Sequence, residues 1–101
     1  MDHQERRSAK RYRFNFPLKV SWSDRQTLTK TAEVSSRAVY FFFAETLPVG
    51  TPLQFVLTLF PELTESKPVQ LTCGGHVLRA DALPGRIGIA ASIDHYEFER
   101  L

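Results

Sequence analysis

From residue 13 to residue 22 the chain alternates strictly. Phe14, Phe16, Leu18, Val20 and Trp22 share one face, while Arg13, Asn15, Pro17, Lys19 and Ser21 share the other. A period of two is that of a β-strand with one buried face. Pro17 has no N–H to give to a neighbouring strand, so it is expected at an edge, at a bulge or facing outward.

The same period recurs along the chain. After a turn at residues 23–26, a second strand is read over residues 27–34, with Leu28, Ala32 and Val34 in register. Residues 35–37 break it. Residues 38–44 are a third strand, rich in aromatics and apolar on both faces. After a turn at residues 47–50, Leu53, Phe55, Leu57 and Leu59 mark a fourth strand. Residues 62–68 read as a polar loop. A fifth strand covers residues 69–80, with Gly74 and Gly75 as a bulge or bend at a barrel corner. Beyond a turn at residues 83–85, Ile87, Ile89, Ala91 and Ile93 mark a sixth. The tail, residues 94–101, reads as a short helix capped by Asp94.

Six short strands separated by turn signals predict an all-β fold, a small six-stranded antiparallel barrel. With 101 residues there is room for one domain. Residues 1–12 are read as a flexible basic arm and residues 13–101 as the barrel. An apolar content of 43% against 24% charged argues against disorder over most of the length. The single cysteine, Cys73, excludes an intrachain disulfide. The N-terminus has no apolar stretch, and the longest apolar run, residues 38–44, is far too short to span a membrane. A cytoplasmic location and no membrane insertion are the expectation.

No residues take catalytic roles convincingly. Cys73 and His76 form a Cys-x-x-His pair, but a metal site needs further ligands at matching spacing, and odd spacing in a strand points the two to opposite faces. Glu62 and Glu65 fall in the polar loop. The chain is therefore read as a binding protein, with no enzyme activity, metal or cofactor.

Charge points to where binding occurs. The net charge is only +2, yet Arg6, Arg7, Lys10, Arg11 and Arg13 cluster at the start, against Glu5. A cationic patch on a nearly neutral body suits a small anionic partner better than a nucleic acid polymer. Arg7 and Arg11 are an Arg-x-x-x-Arg pair, able to flank one ligand. Guanidinium bonds phosphate oxygens or a guanine edge two at a time and stacks on bases. The same spacing also describes a solvated basic arm. Farther on, Glu33 and Ser35 stand two apart, on one side of an extended chain.

Taken in order, these segments resemble the PilZ family: Arg7-x-x-x-Arg11 before the first strand, then Glu33-x-Ser35-x-x-Ala38, then Leu47-Pro48-Val49-Gly50-Thr51. The run from Gly75 to Arg79 and the run from Arg86 to Ile93 complete the set. The resemblance implies a six-stranded barrel that binds cyclic di-GMP, with the arm wrapping the ligand against the barrel. It implies Arg7 and Arg11 on guanine and phosphate, and Glu33, Ser35 and Ala38 on the barrel side, with Arg6 and Arg37 as additional contacts. Two positions depart from the family pattern: Glu33 replaces an Asp or Asn, and Ala38 replaces a Gly. The expected function is a cyclic di-GMP receptor that signals to a partner protein by ordering its arm. The alternative is a barrel that has lost nucleotide binding and serves as a protein–protein interaction module.

Overall fold

A computed structural model describes residues 10–59 and 69–100, the side chain of Arg100 excepted. Arg6, Arg7 and the expected polar loop at residues 62–68 lie outside the described residues. Seven strands follow in order: β1 (Pro17–Trp22), β2 (Arg25–Val34), β3 (Ala38–Phe43), β4 (Pro52–Leu59), β5 (Val69–Leu83), β6 (Arg86–Ser92) and β7 (His95–Arg100). All neighbouring pairs are antiparallel.

The expected six-stranded barrel is present. The order β4-β1-β2-β3-β6-β5 closes through pairing of β4 with β5. Pro17 opens β1 and is exposed, a place where a missing donor does no harm. Two-residue turns join β1 to β2 and β5 to β6. Between β5 and β6, Pro84 is followed by Gly85 at φ 76°, the order that a type II turn demands.

The alternating residues fill the interior. Phe16, Leu18 and Val20, then Val39 and Phe41, then Leu53, Phe55 and Leu57 are all buried. Val77, Ile89 and Ala91 complete the core from β5 and β6. Each large side chain there contributes roughly 1.5–3 kcal/mol by leaving water.

Three expectations are corrected. First, the tail is a strand, not a helix: β7 pairs with the first half of β5, from Val69↔Arg100 to Gly74↔His95. It continues the line of β6 past a two-residue break, so β5 offers it a ready partner. Second, β2 faces the other way from the reading of Leu28 and Ala32. Leu28 is 78% exposed, and Thr31, 1% exposed, is the inward residue. A register shift between Thr31 and Glu33 then turns Val34 back against the core. Third, of the bulge or bend expected at Gly74 and Gly75, the bulge is not there: the register shift in β5 lies between Val77 and Arg79. Pairing with β4 runs through Gly74 and Gly75 without a shift. Those glycines allow close approach instead: a Cβ on Gly75 would stand 1.8 Å from the Ser92 carbonyl oxygen, and one on Gly74 2.2 Å from the His95 ring.

Candidate functional site

The segment entering β1 is tied to β2 by its own hydrogen bonds. Tyr12 and Val34 exchange both backbone bonds at 2.8 Å. The buried Thr31 hydroxyl accepts from the Phe16 amide at 2.9 Å and donates to the Phe14 carbonyl. Asn15 Nδ2 donates to the Thr31 carbonyl at 2.8 Å. This lacing sets Arg11 beside Glu33, with Nη1 3.7 Å from Oε1. An exposed pair of this kind is worth at most about 1 kcal/mol, so an anionic ligand could displace it readily.

The β2–β3 turn supplies the next part. Ser35 N donates to the Ala38 carbonyl at 2.9 Å. The Ser35 hydroxyl accepts from the amides of Arg37 and Ala38, both at 3.1 Å. A hydroxyl thus closes the turn where a carbonyl commonly does, which is serine turn chemistry. Among the described non-glycine residues only Ser23 has positive φ. Ala38 therefore carries no left-handed strain, and it pairs with Ser92 as an ordinary strand residue.

Two bulges complete the face. The shift in β2 turns Glu33 outward opposite Tyr40. Tyr40 pairs with Ala90, and Ala90 with Arg79. The β5 bulge places both Leu78 and Arg79 on the outside, as bulges beside binding sites often do. The outer row Glu33–Tyr40–Ala90–Arg79 has a small residue between two large ones. It forms an open cleft of about 190 Å³, lined also by Arg11, Ser35 and Ala38. That is less than the roughly 300–1,000 Å³ of pockets that enclose a drug-sized ligand, so this face offers one wall of a site rather than a closed cavity.

A second set of contacts braces that wall. Arg79 Nε lies 3.1 Å from both oxygens of Asp81, and the Tyr40 hydroxyl donates to Asp81 at 3.2 Å. The Arg79 guanidinium sits 5.7 Å from the Tyr40 ring centre. Burial, and then the Asp81 carboxylate, raise the Tyr40 phenol above its ordinary pKa.

Of the expected site residues, the structure brings Arg11, Glu33, Ser35 and Ala38 to one cleft. Arg37 is exposed on the turn, and its carbonyl accepts from the Ile93 amide at 2.7 Å. Tyr40, Arg79 and Asp81 were not found by spacing, because only the β5 bulge puts Arg79 over Tyr40. Cys73 is buried while His76 faces Asp94 and Ser92 outside, each 3.0 Å from Nδ1. Among the described residues no three metal-ligating groups cluster, and no helix is long and apolar enough to cross a membrane.

Comparison with known proteins gives the following. A family model, PilZ domain, matches residues 5–101. No curated protein matches the chain. Among solved structures, the Bacillus subtilis inhibitor of motility MotI/DgrA superposes with a TM-score of 0.80 at 15% identity, over 96% of this chain. At that identity the likeness concerns the fold. The chain spans 45% of that structure.

Proposed function

The chain belongs to the PilZ domain family, and from that premise we propose that it is a receptor for cyclic di-GMP. The ligand lies on the outer face of β2, β3, β6 and β5 and is gripped from above by Arg7 and Arg11. The observation that carries this reading is the meeting of Arg11, from the segment before β1, with Glu33, Ser35 and Ala38, from the β2–β3 turn and the strand ends beside it, at one open cleft. Arg11 gives up Glu33 for a phosphate or a guanine edge, a charge-assisted bond. With the arm folded over the ligand, the altered surface signals to a partner protein.

A second reading is favoured by one observation. Glu33 already faces Arg11, and the Ser35 hydroxyl is engaged within its own turn. Both polar halves therefore have partners inside the chain, as expected of a barrel kept as a protein–protein interaction module. Calorimetric titration with cyclic di-GMP, GMP and GTP separates the two. The receptor reading expects saturable heat, tightest for cyclic di-GMP, and a loss of about 2 kcal/mol or more in Arg7→Ala and in Arg11→Ala. No heat at high micromolar ligand with folded protein selects the second reading.

A further inference from the structure

Asp81 poses a problem for an anion receptor. It is a carboxylate beside the cleft, on the face where two phosphates are proposed to bind. Its contacts explain its presence. Both oxygens hold Arg79 Nε at 3.1 Å, which leaves the donors on the two terminal nitrogens, and the Arg79 side chain is 62% exposed. The Tyr40 hydroxyl is fixed to the same carboxylate. Room for Tyr40 comes from Gly88, the pairing partner of Asp81: a Cβ there would stand 1.9 Å from the Tyr40 hydroxyl oxygen. Gly88 has no positive φ. Its missing side chain serves the approach of Tyr40 across the sheet, not a turn.

We propose that Arg79 is a ligand-contacting residue of the cyclic di-GMP site, its guanidinium laid between the Tyr40 ring and a guanine base. Asp81 and Tyr40 are its positioning residues. The inference rests on the receptor reading above and extends it to residues outside the arginine and acidic-x-serine segments. A planar guanidinium stacks on bases, and its remaining donors reach the ligand's phosphates. A guanidinium fixed beforehand loses less side-chain freedom on binding. This contact comes from the barrel itself, so it supplies on the barrel side what Glu33 and Ala38 alter.

Electrostatics gives the test a sign. If Asp81 were merely a nearby acid, neutralising it would relieve repulsion and tighten the binding of a dianion. If it positions Arg79, neutralising it weakens binding. Cyclic di-GMP is titrated calorimetrically into the parent, Arg79→Gln, Asp81→Asn, Tyr40→Phe and Tyr40→Leu, each checked for an unchanged thermal transition. The expected result is at least tenfold weaker binding in Arg79→Gln and a several-fold loss in Asp81→Asn. Tyr40→Phe should lose less than Tyr40→Leu, since it keeps the ring. Arg79→Gln should also flatten the salt dependence of binding, whereas a purely structural substitution would not. If the parent binds and Arg79→Gln binds equally well, this proposal fails and the receptor reading stands. If Asp81→Asn binds more tightly, the positioning role fails. A folded parent that binds nothing overturns both.

Discussion

Two glycines on neighbouring strands, Gly75 and Gly88, mark opposite ways of using a missing side chain. At Gly75 the space is occupied by backbone, the carbonyl oxygen of Ser92 at 1.8 Å from a built Cβ. At Gly88 it is occupied by the tip of a side chain, the Tyr40 hydroxyl at 1.9 Å. The distances are nearly equal, but what can yield differs. The Ser92 carbonyl is fixed at the junction where β5 passes from β7 to β6, with Asp94 N bonded to the Gly74 carbonyl at 2.8 Å and Ile93 N to the Arg37 carbonyl. Tyr40 can swing outward into solvent. One end of the β5–β6 ribbon is therefore a structural seam, and the other is a site that the fold can spare.

That contrast is open to breakage. Gly75→Ala should destabilise the protein by about 3 kcal/mol or more, because backbone must move to admit the methyl. Denaturant titration at constant slope measures this. A loss below about 1 kcal/mol would show that the seam is soft. Next in size is Thr31→Val, nearly the same in shape. It removes the hydroxyl that accepts from the Phe16 amide and donates to the Phe14 carbonyl, and should cost about 2 kcal/mol. Gly88→Ala should cost only about 1 kcal/mol or less, while weakening cyclic di-GMP binding several-fold by displacing Tyr40 from Asp81. If Gly88→Ala were as destabilising as Gly75→Ala, the two ends would not differ as argued.

The smallest effect belongs to the seam. The hydrogen bond from His76, and then that from Ser92, hold the exposed Asp94 carboxyl below its usual range. A depressed folded pKa stabilises at neutral pH, and the benefit fades as pH falls below about 4. Asp94→Asn should therefore lower the thermal midpoint slightly at about pH 7 and converge on the parent as the pH falls through the depressed folded pKa. A difference that persists in acid would contradict this cause.

Most of the barrel was legible because five of its strands bury plain alternating hydrocarbons. β2 was misread because its inward residues are threonines. Threonine is β-branched like valine, and the hydroxyl of Thr31 is satisfied internally by Phe16 and Phe14. The bulge at Ala32 then reverses the parity before Val34, which no periodicity within one strand reveals. The tail did alternate, with Tyr96 and Phe98 among charges, but Asp94 resembled a helix cap more than a break between strands. At the site, Arg11, Glu33, Ser35 and Ala38 were legible as an ordered set of motifs. Arg79 stood at the end of one run of that set, but its meeting with Tyr40 was not legible, since both strand parity and the β5 bulge are needed to bring them together.

On the receptor reading, ligand binds between the two bulges and leaves the seam untouched. Amide chemical shifts recorded during a cyclic di-GMP titration test it most directly. Saturable changes are expected at residues 10–12, 33–40, 78–81 and 88–90, with Gly74, Gly75, His95 and Tyr96 nearly still. Changes centred on those last four residues, or no changes at saturating ligand, would contradict it.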